Sequence, residues 1–142
     1  MPSLLDVNVL VAMLDSEHAL HSAAWSWFES NASSGWASCP ITQNGCIRVM
    51  SQPGYLSPVP VDAITRRLRE ATSHRQHQFW PDNVTLLDED DVDTKRIHGP
   101  KQLTDVYLLA LAVSKGGRLV TFDRSLPLAA VVKAQKKHLV VI

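Results

Sequence analysis

The sequence lacks three features that would assign it to a functional class at once: net charge, many cysteines and a long apolar run. Its 14 basic and 14 acidic side chains cancel, so no global positive field draws the protein onto nucleic acid and any such binding must be local. The two cysteines, Cys39 and Cys46, match no zinc spacing and are expected to be reduced thiols. Apolar stretches such as residues 106–113 are far shorter than the roughly 20 residues that span a membrane.

The first ten residues do not have the pattern of a secretory signal peptide. Residues 1–10 have no basic start and carry Asp6 within their apolar run, which does not fit a signal peptide. We therefore expect a soluble, cytoplasmic protein. The 142 residues, 45% of them hydrophobic, suit a single domain over residues 1–142 with a sizeable core, and we find no repeat and no second domain.

Short apolar runs alternate with segments of helical spacing along the chain. We predict strands at residues 3–7, 36–39, 84–87, 118–122 and 138–142, and helices after Asn8 and at residues 18–31, 41–51, 61–72 and 103–114. Residues 52–60, rich in proline, are predicted to form a loop. The acidic residues 88–91 are interpreted as a solvated helix start. The alternation predicts an α/β fold with a central, mainly parallel sheet flanked by helices.

Three aspartates stand at the ends of apolar segments. Asp6 follows the first predicted strand, Asp123 follows the fourth, and Asp105 begins the helix that leads into that fourth strand. Ligands of open α/β sheets bind beyond the carboxyl ends of the strands, so we expect all three side chains to converge at one edge. Taken singly, each aspartate also fits a helix cap, a favourable helix dipole or a turn.

Convergence of these carboxylates would be electrostatically costly without a cation. Two carboxylates about 4 Å apart repel each other by roughly 4 kcal/mol at an effective dielectric of 20. Hard ions such as Mg²⁺ or Mn²⁺ accept carboxylate oxygens and keep water positions that a phosphate can enter. With no histidine or cysteine near the aspartates in sequence, zinc is disfavoured.

The motifs around these residues are specific when taken together. They are Leu-Asp-Val-Asn at residues 5–8, Thr-Gln-Asn-Gly at 42–45 followed by Arg48-Val49, Leu-Thr-Asp-Val-Tyr-Leu-Leu-Ala-Leu-Ala at 103–112, and Leu-Val-Thr-Phe-Asp-Arg at 119–124. In these motifs the chain resembles the PIN-domain family, and within it the VapC-type toxins of bacterial toxin–antitoxin pairs. The second motif resembles the mycobacterial branch.

The resemblance implies a PIN-like three-layer fold and a metal-dependent endoribonuclease, the toxin of its pair, that hydrolyses RNA phosphodiester bonds. It places Asp6, Asp105 and Asp123 at the Mg²⁺ or Mn²⁺ site as catalytic residues. It also gives Asn8 and Thr121 the role of hydrogen-bonding the carboxylates.

Gln43 is where the sequence departs from the family pattern. Many PIN domains carry glutamate in that helix, and an amide supplies an oxygen but no charge. The resemblance therefore implies weaker metal binding and a stronger dependence on metal concentration. Arg48 and Arg124 are possible RNA contacts, although a solvent-exposed turn arginine is an equal reading of Arg124.

The same resemblance implies a VapB-type antitoxin as partner, whose C-terminal segment covers the active site, an RNA substrate and a homodimer, with no membrane contact. A free-standing nuclease is one alternative. A second is a PIN-like module that binds RNA or a partner without cleavage, which the amide at Gln43 favours. A third is an Asp-x-Asp phosphatase, which is disfavoured because the second acid is Asn8 and no phosphate-binding lysine motif follows.

Overall fold

The computed structural model describes all 142 residues and contains one parallel sheet. Its strands are β1 (Ser3–Leu5), β2 (Trp36–Ser38), β3 (His77–Phe79), β4 (Arg118–Thr121) and β5 (Leu139–Val141). They lie in the order β3-β2-β1-β4-β5, and every neighbouring pair is parallel. The α-helices are α1 (Val7–Leu14), α2 (His21–Asn31), α3 (Pro40–Ser51), α4 (Val61–Thr72) and α5 (Leu103–Ser114). The predicted α/β class and parallel sheet are confirmed.

The sheet separates two layers of helices because successive strand residues point to opposite faces. On one face the strands contribute Leu4, Ala37 and Leu119 to a core that is completed by α5. On the other face Leu5 and Val120 pack with α1, α3 and α4. The three inner strands β1, β2 and β4 are thus buried on both sides, as the apolar runs of a parallel sheet require. This arrangement is the predicted three-layer fold.

The direction of chain travel changes beside β1, and this positions the site. From β1 the chain crosses to β2 and β3 on one side, and it later returns to β4 and β5 on the other. Loops that leave β1 and β4 therefore diverge at the carboxyl edge of the sheet and open a crevice between them. Asp6 directly follows β1, and Asp123 lies two residues beyond the end of β4.

The third strand is not where the sequence predicted it. Residues 84–87 form no strand; the strand β3 is His77–Phe79, which pairs only with β2. Val84 and Leu86 pack as partly buried side chains on the core, whereas Leu87 is 88% exposed. The apolar residues at 84–87 pack on the core without pairing with a strand. The edge strand β3 has only one neighbouring strand, so its sequence carries little apolar alternation.

The acidic residues 88–91 do not begin a helix, so that interpretation was wrong. The Asp88 side chain accepts a hydrogen bond from the Asp90 backbone N–H at 2.9 Å, which closes a turn. The next residue after the turn, Val92, forms an isolated antiparallel bridge with Val131. A side chain that bonds the local backbone in this way competes with helix formation.

The helices agree better with the prediction. α4 and α5 have the predicted bounds, and Gly116 ends α5 with a φ of +68°, a conformation that glycine adopts without strain. α2 begins at His21, three residues later than predicted, because the His18 imidazole accepts the Leu20 N–H and holds a turn. None of the helices has the length and apolar character needed to cross a membrane.

Candidate active site

Asp6 is a buried carboxylate at the junction of β1 and α1. It is only 5% exposed, and it caps α1 by accepting the Val7 backbone N–H on Oδ1 at 2.7 Å. Burial raises the pKa of Asp6, and the nearby charge of Asp123 raises it further, while hydrogen bonds from Thr121 and Val7 oppose the shift. The helix-cap interpretation is thus true of Asp6, but capping alone does not require burial beside a second aspartate.

Thr121 connects two of the aspartates. Its hydroxyl donates to Oδ2 of Asp6 at 2.8 Å and accepts the backbone N–H of Asp123 at 3.0 Å. Thr121 is fully buried at the end of β4, so no water competes for these bonds. One side chain therefore fixes the orientation of Asp6 and the path of the chain that carries Asp123.

Asp105 and Asp123 influence each other's pKa. Asp105 lies in the first turn of α5. Burial is the largest cause that raises the pKa of Asp105, to about 7, and the charge of Asp6 and a hydrogen bond with Asp123 add to it. Like charges close together favour the protonated form of one of them. A pKa of about 7 means that Asp105 gains or loses its proton near neutral pH.

Asp123 is held in the opposite electrostatic state. Its Oδ1 accepts the backbone N–H of Ser125 at 2.8 Å and the Ser125 hydroxyl at 2.7 Å. These two bonds are the main causes that lower the pKa of Asp123, and the hydrogen bond with Asp105 acts in the same direction. Sequence reasoning missed Ser125, although aspartate followed two residues later by serine is a turn pattern that could have revealed it.

The donor set fits a divalent cation, but the ligands are not gathered around one. No group of three or more histidine, cysteine, aspartate or glutamate side chains is spaced to hold an ion as it stands. The three carboxylates nevertheless act on one another electrostatically, and protonation of Asp105 removes one of the repelling charges. A hard cation that replaced this proton would neutralise more charge and would draw the oxygens together.

The Gln43 side chain forms no hydrogen bond with the three aspartates. Its amide Nε2 donates to Oγ of Ser38 at 2.9 Å, and that oxygen lies 2.7 Å from Nε2 of His77. The Gln43 side chain is therefore bound at the end of β2, where Ser38 also contacts the first residue of β3. Asn8 is exposed on α1 and makes no side-chain hydrogen bond in the structure, so the expected bond from Asn8 to a carboxylate is absent.

The two arginines named from the sequence lie on the surface. Arg124 follows Asp123 directly, and Arg48 is on the last turn of α3. Both are exposed and neither forms an ion pair within the chain. Arg124 is thus the chain neighbour of Asp123. Arg48 belongs to α3, the helix that packs on α1.

The fold and the carboxylate crevice define a three-layer α/β protein with an acidic centre at the switch point of its sheet. The family model for the PIN domain matches residues 3–132, and the chain belongs to the PIN-domain family.

Close relatives have the same length as this chain. Ribonuclease VapC44 of Mycobacterium tuberculosis strain H37Rv is 52% identical over 139 residues, which cover 98% of each chain. Ribonuclease VapC39 of the same strain is 43% identical over 128 residues, covering 89% of this chain and 91% of the relative.

Solved structures share the fold at low identity. A structure of VapBC2 from Rickettsia felis, bound to a DNA fragment from its promoter, contains a chain that superimposes with a TM-score of 0.62 at 12% identity, covering 100% of this chain and 98% of that one. VapC20 of M. tuberculosis, described as a toxin that cleaves the sarcin-ricin loop, gives a TM-score of 0.62 at 9% identity over 93% of this chain and 98% of that one. The PIN-like fold is confirmed by both.

Proposed function

We propose that this chain is a metal-dependent endoribonuclease that serves as the toxin of a toxin–antitoxin pair. The observation that carries the proposal is the buried Asp6 linked through Thr121 to Asp123, next to Asp105, whose pKa burial and these two acids raise to about 7. Full-length similarity to proteins named as ribonucleases supports the same function. A role on RNA in translation or growth control places the protein in the cytoplasm.

Asp6, Asp105 and Asp123 would hold Mg²⁺ or Mn²⁺. A divalent ion bound to such oxygens lowers the pKa of a water molecule and stabilises the charge that grows on a phosphate during hydrolysis. Ser38, at the end of β2, is paired with His77, but it is fully buried and forms no hydrogen bond with the aspartates. We therefore infer that the aspartates act by holding charge and geometry, with no side chain as nucleophile. Thr121 keeps Oδ2 of Asp6 in place, and Ser125 does the same for Oδ1 of Asp123.

The division of pKa values within the site gives its carboxyl groups different roles. Asp123 stays ionised at neutral pH because the Ser125 donors lower its pKa. Asp105, with a pKa of about 7, exchanges its proton near neutral pH. A group of this kind can accept a proton when positive charge is absent and release it when positive charge enters the crevice.

The direct test is the substitution Asp6→Asn, which keeps the shape of the side chain and removes its charge. We expect RNA cleavage in Mn²⁺ to fall at least a hundredfold while circular dichroism stays unchanged, since the Val7 and Thr121 contacts can be kept by the amide after a small adjustment. Asp90→Asn is the matched control, because Asp90 is an exposed turn residue, and should cleave like the wild type. Full activity in Asp6→Asn would overturn the proposal.

A module that binds RNA or a partner without cleaving is the second candidate, and the commitment of Gln43 to Ser38 favours it. The two functions differ in one assay. A nuclease degrades RNA in Mn²⁺ and stops when EDTA is added. A binding module retains RNA in a gel shift under both conditions and leaves its length unchanged.

We further propose a VapB-type antitoxin as the cognate partner and a homodimer as the form of the toxin. The support is the likeness to VapC relatives and to the VapBC2 structure. Co-expression with the protein encoded beside it should restore growth of a host that the wild-type chain inhibits, and light scattering of the purified chain should give twice the 15.7 kDa monomer mass. A monomer in light scattering contradicts the dimer, and growth without inhibition contradicts the toxin.

A further inference from the structure

A polar cavity opens beside the proposed active site. Its volume is about 400 Å³, and no large apolar side chain lines it. The six lining residues are His98, Gly99, Pro100, Lys101, Gln102 and Ser125. Five of them form one continuous turn that leads into α5, and the sixth comes from the loop after β4. The cavity therefore lies between the two segments that carry Asp105 and Asp123.

Hydrogen bonds connect this cavity to the catalytic carboxylates. The Gln102 side chain accepts the backbone N–H of His98 at 2.9 Å and donates to the Ser125 carbonyl at 3.4 Å, so it joins both walls. Ser125 in turn donates twice to Asp123. A group bound in the cavity would therefore contact Ser125, which is hydrogen-bonded to Asp123.

The chemistry of the lining favours an anion. Lys101 is exposed, forms no ion pair within the chain and makes no other side-chain hydrogen bond, and the His98 imidazole likewise has no partner. Arg124, next to Ser125, is also exposed and unpaired. The only carboxylate tied to the wall, Asp123, is covered on Oδ1 by Ser125. Because the whole chain has no net charge, a local cluster of free donors is what can attract a polyanion.

We propose that this cavity binds a backbone phosphate of the RNA next to the scissile phosphate, with Lys101 as its main charged contact and His98 as a second donor. The inference rests on the proposed function, since it names how the same site holds its substrate. Lys101 is then a binding residue: it contributes affinity without base preference, as phosphate contacts do.

The test compares two lysines, one in the turn before α5 and the other directly after α5. Lys101 borders the cavity, whereas Lys115 follows the helix at its other end, about 18 Å away for a twelve-residue helix. Lys101→Ala and Lys115→Ala are each made in the Asp6→Asn background, so that RNA is bound and not cut. Binding of a mixed-sequence 20-nucleotide RNA is measured between 50 and 300 mM KCl by fluorescence anisotropy.

We expect Lys101→Ala to weaken binding about threefold at low salt and to reduce the slope of log affinity against log salt by about 0.7, the value for one phosphate contact on single-stranded RNA. Lys115→Ala should change neither quantity. His98→Ala should weaken binding with a smaller change in slope, because its contribution is mainly a hydrogen bond. Equal behaviour of the two lysine variants would overturn the inference.

The outcomes separate this inference from the proposed function. If the wild type cleaves RNA in Mn²⁺ and Lys101 does not affect the salt slope, the function stands and the phosphate site is wrong. If Lys101 affects the slope and the wild type cleaves nothing, the phosphate site stands and the nuclease proposal is wrong.

Discussion

At the scale of single residues, Asp105 determines how the site responds to pH. Its pKa is about 7 in the folded chain and close to 3.9 in an unfolded one. The folded state therefore binds this proton more tightly. The stability that it contributes is fully present below about pH 4 and is lost as pH rises through about 7. Asp123, whose pKa is lowered, has the opposite effect, but only as pH falls below its unfolded value.

Removing the Asp105 charge should reveal this linkage. Asp105→Asn stays neutral at every pH, so we expect its melting temperature without divalent ions to fall less than that of the wild type between pH 4 and pH 7.5, and to equal or exceed it at pH 7.5. Differential scanning calorimetry across that range measures the difference. Asp90→Asn, with its exposed turn carboxylate, should follow the wild type. Parallel curves for Asp105→Asn and the wild type would contradict the assigned pKa.

Thr121 offers a test of positioning. Thr121→Val keeps the volume but leaves Oδ2 of Asp6 and the N–H of Asp123 without their partner. We expect RNA cleavage to fall at least tenfold and stability to fall by about 1–3 kcal/mol, the usual range for buried groups left unsatisfied. Thr121→Ser retains the hydroxyl, and it should recover most of the activity lost in Thr121→Val. If valine and serine variants cleave equally well, the hydroxyl does not position the site.

Much of the site could be predicted from the sequence at this scale, for a physical reason. Asp6 and Asp123 end apolar runs, and in a parallel sheet such positions meet at one edge. The partners of Gln43 could not be predicted in full, because Ser38, which accepts its amide, is also bonded to His77 of β3, and β3 itself was misplaced. The likeness to glutamate-containing relatives indicated the position of Gln43 but not the direction of its side chain.

At the scale of elements, the packing of α3 on α1 fixes the start of α1, where Asp6 is the cap. Gly45 lies so close to Val7 that a Cβ at position 45 would stand 2.6 Å from Cγ2 of Val7. Val7 is β-branched and has little rotameric freedom in a helix, so it cannot turn away. A side chain at position 45 must therefore push α1 and α3 apart near the site.

Gly45→Ala should accordingly destabilise the protein by about 1–3 kcal/mol, the usual cost of overpacking. The better helix propensity of alanine offsets at most about 1 kcal/mol of this. Adding Val7→Ala should restore part of the loss, and urea denaturation of the four proteins in this cycle measures the coupling. Gly54→Ala is the control, since nothing lies within 4 Å of a Cβ there. Additive effects of the two substitutions would contradict the clash.

The element boundaries show where sequence patterns carry less information. α5 was predicted to the residue because six buried side chains give it a continuous apolar signal: Val106, Leu108, Leu109, Ala110, Leu111 and Ala112. β3 was missed because its His-Gln-Phe sequence is only partly buried and is held by main-chain bonds to a single neighbour. Tertiary pairing, rather than local pattern, decides such an edge strand.

At the scale of the whole molecule, two cores share one sheet. Leu4 and Leu5 are adjacent in sequence and belong to opposite faces, as do Leu119 and Val120. Each layer of helices covers one face of the same short strands, which have three or four residues each. Loss of either layer would expose apolar side chains of these strands to water. The single domain predicted for residues 1–142 should thus unfold in one cooperative step, and a melting curve with two resolved transitions would contradict it.

The central claim is that a divalent ion replaces the proton that Asp105 holds beside Asp6 and Asp123. Calorimetric titration of Mn²⁺ in buffers of different ionisation enthalpy tests this directly, because the dependence of heat on buffer counts the protons released. Near pH 6.5, below the pKa of about 7 of Asp105, the account predicts release of on the order of one proton per bound ion, falling towards zero near pH 8.5. It also predicts weaker binding without this release in Asp105→Asn. Binding of Mn²⁺ with equal affinity in both proteins, or with no proton released at the lower pH, would contradict the account.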